Sequence, residues 1–271
     1  MMSASLPAVA DADVTIVVAT FERPALLEVA LRSIRLAADA AAGDGIATRT
    51  LVVDDASPSA ATREVAERLG VDYLRNPLND GRRTPAAARA LGLRQVRSTY
   101  FCFFDDDDVM LPHFIRCSVG LLRAGADVAQ QTYTVTDGEL RPRYTHVPYP
   151  GHLGDMLADH NAVNDFAMVS TERARDVWDP TLGKMMMFGG WLELAFRGAR
   201  FAVVRTPVFR YRRHATNMSD DLDAEYWRTR AELVARYRAK VRDRDGSLPG
   251  PSLRLRLHRL IAPVGRLVAG R

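Results

Sequence analysis

Residues 105–108 are four consecutive aspartates, preceded by the apolar run 100–104 (YFCFF) and followed by 109–112 (VMLP). Adjacent carboxylates repel one another, and each is costly to hold ionised beside a core. A chain accepts that cost most readily where a cation, or a metal carried by a diphosphate, neutralises them. Asp105 and Asp107 are two apart, so in extended backbone they project to one side. Oxygen donors at that spacing suit one hard divalent ion, Mn2+ or Mg2+, which keeps positions open for water and phosphate oxygens. A solvated acidic turn is the bland alternative. The apolar run favours a site, because it reads as a strand buried on both faces that stops at a sheet edge.

The elements that must position this cluster alternate. Residues 14–19 (VTIVVA) read as a strand by β-branched content, followed by a turn at 20–24 with Pro24 suited to the first position of a helix. Leu27, Leu31 and Ile34 recur at helical spacing. A second strand, 51–53, ends at Asp54 and Asp55. A turn at 57–59 opens a helix lined by Ala61, Val65 and Leu69, and 71–74 form a short strand. After the loop 76–83, Thr84 and Pro85 open a helix through Val96. The acidic strand follows, then a helix with Ile115, Val119 and Leu122 in register. Four strand–helix alternations predict an α/β fold with a parallel, doubly wound sheet. Ligands of such sheets sit outside the carboxyl ends of the strands, where Thr20, Asp55 and Asp105–Asp108 all fall.

The second half is less regular. It predicts one or two strands over 128–136, a long loop 137–151, a strand 166–170 and a short helix 171–177. A Met-rich loop 183–190 precedes a helix 191–197, strands 201–204 and 208–212 pair, and a helix spans 222–241. Residues 253–268 form a basic, weakly amphipathic helix carrying Arg254, Arg256, Arg259 and Arg266.

The 271 residues are 47% hydrophobic, enough for a full core, and the net charge of +4 is carried mostly by arginine. Modest basicity favours anionic small molecules or an anionic membrane surface and lacks the dense basic stripe of a nucleic-acid binder. Cys102 and Cys117 form no disulfide framework and no metal-ligand spacing, which suits a reducing compartment. No signal peptide opens the chain and no apolar run approaches the roughly 18 residues that span a bilayer. The expected location is cytoplasmic, with peripheral contact at the inner membrane face open to the basic C-terminal helix; a plain surface helix is the simpler reading of that segment.

Five motifs in order carry a resemblance. Thr20-Phe21-Glu22 loosely matches a strand-end T-Y-N, and Val53-Asp54-Asp55-Ala56-Ser57 fully matches V-D-D-x-S. Asn79-Asp80-Gly81 and Ala88-Arg89-Ala90-Leu91-Gly92 match N-x-G and A-R-N-x-G. Phe103 to Pro112 matches F-L-D-x-D-D-x-x-x-P except at Phe104, and Tyr211-Arg212-Arg213-His214 matches Y-R-x-H. Over about residues 13–220 the chain resembles a family-2 glycosyltransferase of the GT-A fold. That fold is a Rossmann-like, mostly parallel sheet flanked by helices, with a smaller mixed acceptor-side half. The implied organisation is a tail at 1–12, a nucleotide-sugar-binding half at 13–125, an acceptor-binding and catalytic half at 126–220, and C-terminal helices at 221–271.

The resemblance implies transfer of a sugar, with inversion, from a UDP- or dTDP-linked donor to a hydroxyl of a saccharide, lipid-linked saccharide or small molecule. Such transfer serves cell-surface polysaccharide, glycoconjugate or natural-product synthesis. A homodimer is compatible, and no nucleic acid takes part. The nucleotide-sugar would be held by Ala19, Thr20, Glu22, Asp55, Arg82 or Arg83, Arg89, Asp105 and Asp106. Asp55 would accept from the N3–H of the base, the arginines would steady base or phosphates, and Asp105 would face ribose or sugar. Asp107 would ligate the metal, with His214 a further metal or phosphate contact. The structural alternative for Asp55 is a cap on the helix after Ser57.

One position departs. Family members carry the acceptor-activating Asp in an E-D-W-type motif opening a late helix, and here residues 188–193 read FGGWLE, with Gly190 in the Asp position. Glu193, one helical turn on, is the substitute candidate, ahead of Asp165 and Asp179. Two other functions compete. A sugar-phosphate nucleotidyltransferase would need a Gly-rich phosphate loop that 20–24 lacks. A non-catalytic nucleotide-sugar-binding protein on the same fold would explain Gly190.

Overall fold

The computed structural model of the chain describes residues 12–77, 85–158, 163–215, 217, 222–253 and 255–256. Strand β1 (Val14–Thr20), helix α1 (Pro24–Ala42), strand β2 (Thr48–Asp54), helix α2 (Ala61–Leu69), strand β3 (Asp72–Arg75), helix α3 (Ala86–Leu93) and strand β4 (Tyr100–Asp105) follow one another. These four strands pair in parallel in the order β3-β2-β1-β4, as the alternating pattern requires. Next come β5 (Val109–Met110), α4 (Phe114–Arg123), β6 (Val128–Thr136), β7 (Pro142–His146), α5 (Leu153–Leu157), β8 (Met168–Ser170), α6 (Thr171–Ala174) and a 3-10 turn at Pro180–Met185. Helix α7 (Met186–Phe196), strand β9 (Phe201–Arg212) and helix α8 (Ala224–Asp245) complete the described elements. The sheet continues from β4 through β8, β6 and β9 to β5, and its pairing turns antiparallel at β4–β8.

Side chains alternate across the central strand. Phe101 and Phe103 join one core with Val17, Val53, Trp178 and Trp191, while Cys102 and Phe104 join a second with Ile16, Val18, Leu27 and Phe114. Helices α3 and α7 contribute to the first core, and α1 and α4 to the second. A sheet covered on both faces buries whole strands, which is why β1, β2 and β4 read as continuous apolar runs. Both cysteines are free thiols. Among the described residues no helix is long and apolar enough to cross a membrane.

Four expectations are corrected. The predicted loop at 183–190 is largely helix, because α7 starts at Met186 and runs through Gly189 and Gly190. Each helical glycine costs about 1 kcal/mol relative to alanine, but α7 buries Met186, Met187, Phe188, Trp191 and Leu192, and that burial outweighs the local preference. The pair 201–204 and 208–212 is the single strand β9, parallel to β6; Pro207 falls at a register shift, where its missing N–H is tolerated. The predicted loop 137–151 contains β7, antiparallel to β6. Its turn is fixed by Asp137, whose Oδ1 accepts from the backbone N–H of Glu139 (3.1 Å) and Arg141 (3.0 Å). Helix α3 ends at Leu93 rather than Val96; Thr84 and most of 253–268 lie outside the described residues.

Gly92 lets α3 lie directly on the sheet. A Cβ there would sit 2.5 Å from Val17 Cγ1 and 2.9 Å from Val53 Cγ2. Gly92→Ala gains about 1 kcal/mol of helix propensity but overpacks a two-strand contact, which costs about 1–3 kcal/mol. The expected net is a loss of about 1 kcal/mol, read as a lower urea midpoint at unchanged slope.

Candidate active site

The acidic cluster lies at the exit of β4. Asp105 ends the strand, Asp106 and Asp107 form a turn, and Asp108 leads into β5. The turn, not strand alternation, therefore brings the carboxylates together: one oxygen each from Asp105, Asp107 and Asp108 lies within 4.8 Å of the others. Pairing of β5 with β9 carries the end of β9 to the same place. There the backbone N–H of Arg212 donates to Asp108 Oδ1 (2.8 Å) and its Nε to the carbonyl of Asp107 (2.9 Å). His214 Nε2 lies 2.9 Å from Asp107 Oδ2. Asn217, which sequence reasoning missed, holds this segment by donating to the Arg212 carbonyl (3.1 Å) and accepting from the His214 N–H (2.5 Å).

Three further groups balance the charge. Thr20 Oγ1 donates to Asp106 Oδ2 (2.7 Å). Arg23 Nη1 lies 3.3 Å from Asp106 Oδ1 and 3.0 Å from Asp107 Oδ2; the sequence offered it only as a turn residue. Arg89 is buried, donates from Nη2 to Asp105 Oδ1 (2.5 Å), and stands over the Phe103 ring at 5.6 Å. Burial raises the carboxyls of Asp105 and Asp108 above the usual range; Arg89 pulls Asp105 back, and Asp107 pushes both further up. Burial and the neighbouring Asp107 push Asp106 up to about 7. Burial alone would weaken the Arg89 cation, but Asp105 and Asp165 outweigh it and keep it charged. Asp108 Oδ2 is buried and accepts no hydrogen bond from the described residues. An orphaned carboxylate oxygen beside two more carboxylates and an imidazole fits a divalent cation, so this cluster could hold one.

The ends of β1 and β2 are joined by two loops. Asp54 is fully buried; its Oδ1 accepts from the N–H (2.9 Å) and Oγ (2.5 Å) of Ser57, and its Oδ2 from Tyr73 Oη (2.6 Å). Neither aspartate caps α2, whose N-cap Ala60 receives no side-chain hydrogen bond; Asp54 instead fixes the turn at Ser57. Asp55 Oδ1 accepts from Asn76 Nδ2 (2.7 Å) at the mouth of the sheet. Glu22 and Ala56 hold left-handed backbone, at φ 52° and 65°, conformations that cost a non-glycine residue about 1–2 kcal/mol each. The two loops brace one another: the Glu22 N–H donates to Ser57 Oγ (2.9 Å), and Glu22 Oε1 accepts from the Ser59 N–H (3.0 Å). Ala19 lies in β1 with Val53 and Asp105 as its register partners. Arg82 and Arg83 lie outside the described residues.

The glycosyl transferase family 2 profile matches residues 15–211. The chain belongs to that family. Solved structures with a similar fold include TarS 1–349 from S. aureus, at 15% identity and TM-score 0.62 over 83% of this chain and 65% of that one. The same protein in complex with UDP-GlcNAc gives 14% and 0.64 over 83% and 66%. Mannosyltransferase PcManGT from Pyrobaculum calidifontis, in complex with GDP-Man and Mn2+, gives 16% and 0.57 over 89% and 66%. This chain thus spans about two thirds of each, and the likeness at these identities is one of fold, the GT-A fold. A search of curated proteins finds no match.

Against the family 2 pattern, the acceptor side is rearranged. Gly190 sits inside α7 with the Trp178 ring against it. Glu193 Oε1 accepts from Arg197 Nε (2.6 Å), and Oε2 accepts from Tyr237 Oη (2.6 Å) and lies 3.4 Å from Lys240 Nζ. It ties α7 to α8, and among the described residues its partners are Arg197, Tyr237 and Lys240 rather than the acidic turn. Burial would raise its carboxyl, but the Tyr237 and Arg197 bonds outweigh that and hold it below the usual range. Asp179 Oδ1 caps the 3-10 turn through the Thr181 N–H (2.9 Å). Of the three acceptor-side acids, the structure brings Asp165 to the site: its Oδ2 lies 3.8 Å from Arg89 Nη1.

Two outcomes follow from these placements. Asp54→Ala strands the Tyr73 hydroxyl and the Ser57 N–H, and is expected to cost about 2–4 kcal/mol by denaturant titration, whereas Asp55→Ala costs far less. Folding raises Asp106 from 3.8 to about 7. Between those values the folded protein keeps a proton that the unfolded chain has released, so metal-free stability falls as pH rises through the window. Asp106→Asn is expected to flatten that fall, measured as Tm against pH.

Proposed function

We propose that this chain transfers a sugar from a UDP- or dTDP-linked donor to an acceptor hydroxyl, with inversion, in a reaction that uses Mn2+ or Mg2+. The observation that carries this reading is the convergence of Asp105, Asp107 and Asp108, with an orphaned oxygen on Asp108, at the carboxyl end of a parallel sheet whose family is one of glycosyl transferases. The UDP-GlcNAc bound in one similar structure and the GDP-Man and Mn2+ bound in another support it. Asp107, with Asp105, Asp108 and His214 beside it, would hold the ion. When bound, it would neutralise charge on the departing diphosphate.

The chain's own residues do the rest. Asp55, oriented by the Asn76 amide, presents a carboxylate to a base N–H, which favours uracil or thymine. Thr20 and Arg23 hold Asp106 and Asp107 in place before the donor arrives. Arg89 fixes Asp105 toward the sugar side. A binding-only role is the second reading, and Gly190 is the observation that favours it.

Calorimetry with UDP and Mn2+ tests the assignment. Asp107→Ala is expected to remove the metal-dependent part of the binding, about tenfold or more in Kd (~1.4 kcal/mol per tenfold). Asp55→Ala is expected to weaken UDP and dTDP while leaving Mn2+-pyrophosphate binding intact. Heat from Asp107→Ala equal to that of the parent overturns the metal assignment. Release of UDP from a UDP-sugar separates transfer from binding alone.

A further inference from the structure

The carboxylate expected at position 190 cannot be restored there. A Cβ on Gly190 would lie 2.2 Å from Trp178 Cε3 and Cζ3, carbons of a flat ring locked edge-on between Phe103 (5.9 Å) and Trp191 (4.8 Å). Trp178 is itself buried, so it has nowhere to swing. Glu193 has both oxygens engaged in pinning α7 to α8, and Asp179 is a cap. An acid that activates an acceptor must come from another element.

The antiparallel pairing of β8 with β4 supplies one. Tyr100 faces Ser170 and Phe101 faces Val169, and the turn that leads into β8 carries Asp165 to the acidic end of β4. The ion-pair geometry agrees, since one arm of the Arg89 guanidinium bonds Asp105 and the other lies 3.8 Å from Asp165. The Asp165 side chain is 43% exposed and accepts no hydrogen bond from the described residues, so an oxygen remains available to an incoming hydroxyl. Packing against the site raises its carboxyl to about 6, with Arg89 pulling it down and Asp105 pushing it up, a value at which a carboxylate is a better base than an ordinary aspartate.

We infer that Asp165 is the general base of this chain, having taken over the task that the helix position filled by Gly190 and Trp178 has lost. The inference rests on the transfer reading above. The acceptor oxygen bonds to the anomeric carbon as the bond from that carbon to the diphosphate oxygen breaks. The electron pair leaves with the nucleoside diphosphate, and the acceptor proton passes to an Asp165 oxygen and on to solvent.

The test uses the full chain with Mn2+ and UDP-glucose, UDP-GlcNAc, dTDP-glucose and GDP-mannose, water serving as acceptor, with nucleotide release as the readout. Asp165→Asn is expected to lower turnover of the best donor by about 10²-fold or more while leaving its KM and the UDP–Mn2+ affinity within threefold. Azide attacks as an anion with no proton to lose, so it is expected to restore nucleotide release to Asp165→Asn and to yield a glycosyl azide. Asp165→Glu is expected to recover part of the turnover, and Glu193→Gln to keep it within threefold. Asp165→Asn turnover within threefold of the parent, or a stalled Asp165→Asn that azide does not rescue, overturns the inference and leaves the transfer reading standing. A parent that binds UDP and Mn2+ yet turns over none of the four donors overturns both.

Discussion

Four carboxylates at the end of one buried strand are the constraint to which the surrounding structure answers. Each is partly stripped of water, and the Asp107 charge raises Asp105, Asp106 and Asp108, so the cluster is held only by what faces it. Arg23, Arg89, Thr20, the Arg212 backbone and His214 come from three different segments of the chain. None of these contacts is local. The two arginines neutralise only part of the charge, and Asp108 Oδ2 is left without a hydrogen bond from the described residues. A buried pair that is broken is far more costly than one replaced by apolar groups. A cluster retained in this state makes sense as a place where a cation and its anionic ligand complete the balance.

That constraint also explains why the two halves of the sheet must meet. The parallel half delivers strand ends, which bring Thr20, Asp55 and Asp105 to one edge. It has no means of enclosing the far side of the acidic turn. The reversal of direction at β4–β8 and the return of β9 against β5 do so, and they place Arg212 and His214 on one flank and Asp165 on the other. The left-handed residues Glu22 and Ala56 sit at the ends of β1 and β2, where the chain leaves the sheet and strain can be held by cross-bracing through Ser57 and Ser59.

Legibility in the sequence follows the range of the interaction. An apolar run that stops at a polar cluster is local, so β1, β2, β4 and the acids at their ends were readable from periodicity alone, and the family motifs fixed their order. The choice between Asp54 and Asp55 was not readable. The two are adjacent, and only Tyr73, on the next strand, reveals that the first is the buried brace of the turn. Arg23 was hidden for the same reason, its partners being 83 and 84 residues away. The errors at α7 and β9 arose where glycine and proline, strong local breakers, were overruled by tertiary packing: Trp178 needs Gly190 to approach α7, and Pro207 sits where the ladder already shifts.

The loss of an acid from α7 and the position of Asp165 are therefore two sides of one packing decision. Filling the space beside α7 with Trp178 makes the face of that helix around Gly190 apolar: Trp178 and Trp191 meet edge to face, and each leaves its indole N–H without a hydrogen-bond partner among the described residues. Such a face excludes water and cannot itself accept a proton. It leaves the turn ahead of β8 to carry a carboxylate, Asp165, which shares Arg89 with Asp105. One guanidinium touching both Asp105 and Asp165 couples the two carboxylates electrically: anything that withdraws negative charge from Asp105 leaves Arg89 freer to hold Asp165 ionised. A single buried cation thus links Asp165 to the acidic turn.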